Sequence, residues 1–293
     1  MQTVTPIDYS YVKSKFLPRK LDSHKGTYGT LMCLCGSEGM LGAAVMSTKS
    51  ALKCGVGLVN VCVQKSLYPI LAANLLEPVF TVLYDNQTGR FLYSNIFDIM
   101  SSCDKASACL IGCGIGCNRD TQLIVNHIIE NCLNPMIIDA DGINAISKNI
   151  DILRTAKAPI VITPHPGEMA RLIGRSTEYI QSHREDCARE LALKYDITVV
   201  LKGSGTVIAC NNGNVYINNT GNPGMSKGGS GDVLSGMIAS FMAQGFKAED
   251  ACVCGVYLHG LAGDRCASNL SQISMSPVDI INYLPRLFLE IEN

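Results

Sequence analysis

Apolar residues along this chain alternate between two spacings. Short unbroken runs read as strands: Thr30–Cys35, Gly57–Val63, Ala108–Ile111, Met136–Asp139, Pro159–Ile162 and Ile197–Lys202. Between them, apolar positions recur at the helical 3.6-residue period, from Ala43 to Cys54 (closing at Gly55), from about Thr121 to Cys132, and from about Glu178 to Tyr195. Strands that are apolar throughout, not alternating, are expected where helices cover both faces of a parallel sheet. The pattern therefore predicts an α/β fold with a central, mostly parallel sheet and helices on both faces. After Lys202 the rhythm changes. Asn212-Gly213 separates the β-like runs Gly203–Cys210 and Val215–Ile217, which predicts a hairpin. The last quarter is mostly helical. No linker or compositional break interrupts the chain, so a single domain over 1–293 is expected, with residues 1–25 a polar arm or short helix.

One stretch stands apart. Asn222 to Asp232 is rich in small residues, with Gly228-Gly229-Ser230-Gly231 directly before Asp232, and it runs into apolar positions 233, 234, 237, 238, 241 and 242. Those positions make one helical face, with Gly245 as its stop. A glycine-rich loop feeding a helix start exposes unpaired N–H groups at the positive end of the helix dipole, which suits an anion. Asp232 adds a carboxylate at its mouth. An Asp there can be a plain cap, but so bare a backbone suggests that something must approach closely.

Composition narrows the classes. The chain has 293 residues, 47% of them hydrophobic and 17% charged, enough for a substantial core. A net charge of −1 gives no electrostatic case for nucleic acid or an acidic membrane surface. The first residues lack a signal pattern, and no apolar run reaches bilayer-spanning length. Fourteen cysteines lie mostly inside apolar runs, without a C-x-x-C pair, and the five histidines are scattered. That argues against a zinc cluster or a disulfide frame and for a reducing, cytoplasmic setting.

In an open parallel sheet, ligands sit at the carboxyl ends of strands. Here those ends carry Gly36–Gly42, Gly112-Cys113-Gly114-Ile115-Gly116, Asp139-Ala140-Asp141, Thr163-Pro164-His165-Pro166-Gly167-Glu168 and Lys202-Gly203-Ser204-Gly205-Thr206. The glycine pattern at 112–116 is not the dinucleotide fingerprint, and the surroundings of Lys227 do not match a P-loop. Each segment has a plain reading: His165 a turn residue, Asp139 and Asp141 helix caps, Lys202 a solvated strand end, Glu168 a dipole partner. His24, His127, His183 and His259 read as structural or exposed. What speaks for chemistry is that so many loaded strand ends can converge on one crevice.

Gly-x-Gly-Asp at a helix start resembles the ribokinase-like superfamily, and the details resemble its ADP- or ATP-dependent NAD(P)H-hydrate dehydratases. The resemblance runs over roughly residues 11–290. It is carried by Lys25-Gly26-Thr27-Tyr28-Gly29, Gly36-Ser37-x-Gly39-x-x-Gly42, Ile138-Asp139-Ala140-Asp141-x-x-Asn144, Thr163–Glu168, Leu201-Lys202-Gly203, Gly228–Gly236 and His259-Gly260-x-Ala262-Gly263-Asp264. Cys113 stands where that family usually has Pro, Ile115 where it often has Leu, and Ser230 where Thr or Gln is common.

The resemblance implies return of the S form of NADHX or NADPHX to NADH or NADPH. Asp232 would act as the catalytic base, with the N–H groups of Gly229, Ser230 and Gly231 as an anion hole. Lys202, Gly203, Ser204, Gly205, Thr206 and Gly231 would hold the nucleotide, and Ala44, Gly114, His165 and Asp232 the hydrated cofactor. Mg²⁺ would bridge the phosphates of ADP or ATP, with its protein ligands unassigned. The His-Pro-Gly-Glu turn favours ADP. A homotetramer is implied, and an epimerase domain in front is not expected. Two other readings share the motif: a kinase of a small alcohol or vitamin precursor, and a non-catalytic nucleotide sensor.

Overall fold

A computed structural model describes residues 4–293. The chain opens with β1 (Val4–Pro6) and α1 (Tyr9–Ser14). There follow β2 (Thr30–Leu34), α2 (Leu41–Lys53), β3 (Leu58–Gln64), α3 (Tyr68–Asn74), β4 (Val79–Leu83), α4 (Ile96–Asp104), β5 (Ala108–Ile111) and α5 (Arg119–Asn131). The middle contributes β6 (Met136–Ile138), α6 (Asp141–Ile146), β7 (Ile160–Ile162), α7 (Pro166–Ile173), α8 (Thr177–Ser182), α9 (Arg184–Tyr195) and β8 (Thr198–Leu201). The hairpin β9 (Thr206–Ala209) and β10 (Val215–Asn218) precedes α10 (Ser230–Ala243), α11 (Ala248–Leu270) and α12 (Pro277–Glu292).

All strands join one sheet in the order β1-β10-β9-β8-β7-β6-β5-β2-β3-β4. Pairings are parallel from β4 through β8 and between β1 and β10; only β8–β9 and β9–β10 are antiparallel. The unbroken apolar strands have the expected cause. Leu31 and Cys33 of β2 and Ile137 of β6 face one core, shared with α2, α10, α11 and α12. Met32, Leu34, Met136 and Ile138 face the other, shared with α4, α5, α7 and α9. These interior strands are thus buried on both faces.

Four elements differ from the sequence expectation. Within the arm, residues 4–16 belong to the fold. β1 pairs with β10, Val12 is fully buried, and Phe16 packs 5.4 Å from the rings of both Phe241 and Phe246; the arm's first three residues lie outside the described ones. The helix expected from 178 to 195 breaks at His183 (φ −134°, ψ 40°) into α8 and α9. β4 went unread because it is an edge strand, largely exposed, so its side chains follow no buried pattern. Finally, α10 is buried on every side from Val233 to Ala243, where a single apolar face was expected.

Small residues on the polar side of α10 explain that burial. Ser240 Oγ donates to the Ala51 carbonyl of α2 at 2.8 Å, and a Cβ on Gly236 would overlap Ser50 Oγ and the Ser47 carbonyl oxygen. α2 and α10 therefore pack almost backbone to backbone, and one added methyl has nowhere to go. Gly236→Ala should cost about 1–3 kcal/mol, the usual penalty for overpacking. Gly228→Ala, whose Cβ would meet nothing within 4 Å, should leave stability unchanged. Urea unfolding of the two variants side by side checks this, and equal midpoints would refute the close-packing argument.

Candidate active site

The strands of the parallel section end on one side of the sheet, where a cavity of about 800 Å³ opens. Its floor is made by residues immediately following strands and by the start of α10. Asp139, following β6, and Lys202, following β8, line it, and Thr163, following β7, lies fully buried behind them. Asp139 is 1% exposed and fully engaged. Lys202 Nζ donates to its Oδ1 at 2.7 Å, as does Thr163 Oγ1 at 2.7 Å. Ser235 Oγ of α10 donates to Oδ2 at 2.8 Å, with the Cys113 thiol at 3.6 Å. Burial alone would raise this carboxyl; the Lys202 charge and the hydroxyl donors outweigh it and hold it below the ordinary range. Burial likewise opposes the Lys202 ammonium, but Asp139 and Glu168 keep it charged and raise it. So Asp139 is not a helix cap, and Lys202 is not a solvated strand end.

Asp232 lies at the third position of α10, beyond the N-cap Gly229. Its side chain caps nothing. Gly229 adopts φ 97°, a left-handed conformation that suits glycine. Among the described residues, the N–H groups of Gly229 and Gly231 make no hydrogen bond, while that of Ser230 donates to the Lys227 carbonyl at 3.2 Å. Of the three expected anion donors, two are free and one is engaged. The Asp232 carboxyl is pushed up to about 6, by burial first and then by the negative charges of Asp139 and Asp141, against the Cys113 thiol and Lys202. Near neutral pH it is an ionised carboxylate with appreciable basicity, suited to proton abstraction.

His165 does two things at once. It is the N-cap of α7, its Nδ1 accepting from the N–H groups of Gly167 and Glu168 at 3.0 and 3.3 Å. It also lines the cavity with Lys202, Gly203, Ser204, Gly205, Thr206 and residues 229–232. Glu168 closes the capping box by accepting the His165 N–H at 2.8 Å and lies 4.0 Å from Lys202 Nζ. Asp141, which begins α6, accepts the Gly116 N–H at 2.8 Å and the Cys117 thiol at 3.2 Å, fixing the 112–116 loop. Ala44 and Gly114 do not line the cavity. Ala44 is fully buried in the first turn of α2, and Gly114 packs against Met40 and Ala43. The Cys113 thiol, next to Gly114 in the chain, favours the Asp232 carboxylate.

The far wall was not anticipated. Asn218, Thr220, Asn222 and His259 line it. His259 Nε2 is 3.5 Å from Ser230 Oγ, and burial pushes the imidazole down to about 4, so it is neutral at pH 7. Asp264 accepts from Gly221 N–H and Asn222 Nδ2 at 2.8 and 3.0 Å, holding the turn before the glycine loop. The available signal was the segment His259-Gly260-x-Ala262-Gly263-Asp264, which had no role assigned. A Cβ on Gly260 would overlap Thr220; this glycine lets α11 reach the wall. Arg184 was also missed. Its Nη2 donates to the carbonyls of Leu201, Lys202 and Gly205 at 2.8, 3.3 and 3.3 Å, clamping the 202–206 loop.

At the cavity, Cys113 Sγ and one oxygen each of Asp139 and Asp232 lie within 4.8 Å of one another. A thiol and a carboxylate already paired with Lys202 are a poor cage for a hard ion. The residues fit Mg²⁺ as an ion that arrives with nucleotide phosphates and keeps part of its water.

A glycine-rich helix start with a carboxylate beside it, set at the strand ends of a mostly parallel sheet, is the arrangement of a ribokinase-like α/β protein. Comparison with known proteins narrows this. The NAD(P)H-hydrate dehydratase profile matches residues 31–286, and the chain belongs to that family. It is 39% identical over 269 residues to a bifunctional NAD(P)H-hydrate repair enzyme of Thermofilum pendens, covering 92% of this chain and 51% of that protein. It is 34% identical to an ADP-dependent (S)-NAD(P)H-hydrate dehydratase of Neisseria meningitidis, over 85% of this chain and 81% of the relative. The chain spans about half the length of the bifunctional relatives. The ADP/ATP-dependent NAD(P)H-hydrate dehydratase of Bacillus subtilis, co-crystallised with ATP/Mg²⁺, superposes with a TM-score of 0.84 at 28% identity, covering 98% of this chain and 99% of that one.

The electrostatics can be tested without substrate. The Asp232 side-chain carboxyl should titrate near pH 6, read by carbon NMR. In Lys202→Met the midpoint should rise, because the ammonium that favours the carboxylate is gone. The same variant leaves Asp139 buried and uncompensated and should lose about 3–5 kcal/mol of stability by urea unfolding. A midpoint that stays put would separate Lys202 from Asp232.

Proposed function

We propose that this chain catalyses the ADP- or ATP-dependent dehydration of the S form of NADHX or NADPHX to NADH or NADPH. The observation that carries this reading is the Asp232 carboxylate, raised to about 6, beside the free N–H groups of Gly229 and Gly231 at the start of α10. Hydroxide leaves a reduced nicotinamide ring poorly; phosphate leaves well. The ring hydroxyl attacks the terminal phosphorus of the nucleotide while Asp232 takes its proton. The helix start stabilises the charge on the transferring phosphoryl group. AMP or ADP departs, the ring nitrogen's lone pair expels phosphate to leave an iminium ion, and loss of the proton on the adjacent ring carbon to solvent restores the 1,4-dihydropyridine. Mg²⁺, bound with the nucleotide, supplies neutralising charge between its phosphates.

In this reading the 202–206 loop and Gly231 seat the AMP part of the nucleotide. Because the Lys202 ammonium is tied to Asp139, the loop offers mainly its backbone, clamped by Arg184. The hydrated nicotinamide approaches Asp232 past His165, which lines the cavity with it, while Ala44 and Gly114, also expected at the substrate, lie outside the cavity lining. The family resemblance supports ADP as donor and a homotetramer, which light scattering tests. No described helix is long and apolar enough to cross a membrane. The free state of the fourteen cysteines supports a cytoplasmic location.

Incubation with (S)-NADHX, Mg²⁺ and either ADP or ATP should return NADH absorbance and release one phosphate per NADH. A stable phosphorylated product without NADH would instead indicate a kinase. Asp232→Asn should lower turnover by roughly 10²–10⁴-fold, the usual worth of a positioned base, with nucleotide binding largely retained. Because the base must be ionised, kcat/KM should fall about tenfold per pH unit below about 6 and level off above it. A flat profile between pH 5 and 7 would argue against Asp232 as the proton acceptor.

A further inference from the structure

Away from the cavity, beside the start of the interior strand β5, three thiols from three elements converge. Cys103 lies in the last turn of α4, Cys109 near the start of β5, and Cys132 at the C-cap of α5. All three are fully buried, and their sulfurs lie within 4.8 Å of one another. The segment after Cys132 binds to both partner segments. Asn134 Nδ2 donates to the Cys103 carbonyl at 2.9 Å, and the Cys109 N–H donates to the Pro135 carbonyl at 2.9 Å. The Asn134 backbone N–H points at Cys132 Sγ, 3.5 Å away, a donor that stabilises thiolate sulfur.

We propose that Cys103, Cys109 and Cys132 form a binding site for a soft, thiophilic divalent cation. Metal–sulfur bonds of about 2.3 Å would set three trigonal sulfurs about 4 Å apart, so the present spacing needs only small adjustment. Sulfur ligands select soft ions over magnesium or calcium. The surroundings set the charge: all three thiols belong to the second hydrophobic core, where net charge is costly. A divalent ion that displaces two thiol protons, while the third sulfur donates a lone pair, leaves the site neutral. Two metal–sulfur bonds then form as two S–H bonds break, and both protons pass to solvent. Access comes from the end of α5, where Leu133 beside Cys132 is 68% exposed. The bound ion would link α4, β5 and α5 and stabilise the fold by mass action.

The test uses reduced, degassed protein carrying Cys117→Ser, which removes the one exposed thiol, titrated with Cd²⁺. One ion per chain should bind with a sulfur-to-cadmium charge-transfer band, release of two protons and a raised Tm, none of it reproduced by Mg²⁺. Cys109→Ser and Cys132→Ser should each weaken binding about tenfold or more, whereas Cys35→Ser, at a buried thiol elsewhere, should not. No band, or a band that survives in both variants, would overturn the proposal. If those variants do not fold, X-ray absorption on the cadmium-loaded parent decides: three sulfur neighbours support the site, and fewer than three overturn it. None of these readouts depends on the dehydratase activity.

Discussion

The site rests on the ion pair between Lys202 and Asp139. Asp139 ends β6 and Lys202 ends β8, so the pair spans the intervening β7, whose Thr163 binds the same carboxylate. Ser235 adds α10 to that junction. One buried carboxylate therefore collects three strand ends and the helix that carries Asp232. A buried pair of this kind is weak evidence for stability, since desolvation offsets most of the attraction. Its contribution here is position. It also leaves a residue of negative potential, because the single ammonium faces Asp139, Asp232 and Glu168 together. That imbalance, added to burial, is what raises the Asp232 carboxyl to about 6.

A second constraint is steric. α10 approaches α2 through Gly236 and Ser240, and its start turns through Gly229 in a left-handed conformation. The far wall depends on the same device, with Gly260 allowing α11 against Thr220. These small residues let the anion-binding helix start sit deep in the molecule with its N–H groups still facing the cavity. Polar work is then done by groups already held: His165 as a cap, Asp141 on the 112–116 loop, and Arg184 on the 202–206 loop.

Much of this was legible in the sequence because the parallel sheet writes itself as unbroken apolar runs and places ligand loops after them. The glycine loop, Asp232, His165 and Lys202 were found from their positions at strand and helix ends. What escaped has physical reasons. β4 is an edge strand without a buried pattern. The wall formed by Asn218, Asn222 and His259 comes from elements far apart in sequence, joined by tertiary packing. His259 itself sits inside an apolar helix, where a lone histidine carries no sign of facing a cavity. The Asp139–Lys202 pair links residues 63 positions apart, and no periodicity reports such a pairing. Even the fourteen cysteines, dispersed in the chain, give no hint that three meet at one point.

The burial of α10 has one more consequence. The helix that presents the base is also the centre of the larger hydrophobic core, so the molecule cannot lose that helix and keep its shape. Substitutions between positions 233 and 243 would be felt in a cell as scarcity of the protein, cleared by proteolysis of unfolded chains, and not as a slow enzyme. A damaged-cofactor phenotype traced to those positions would then respond to chaperone levels or growth temperature, whereas one traced to Asp232 would not.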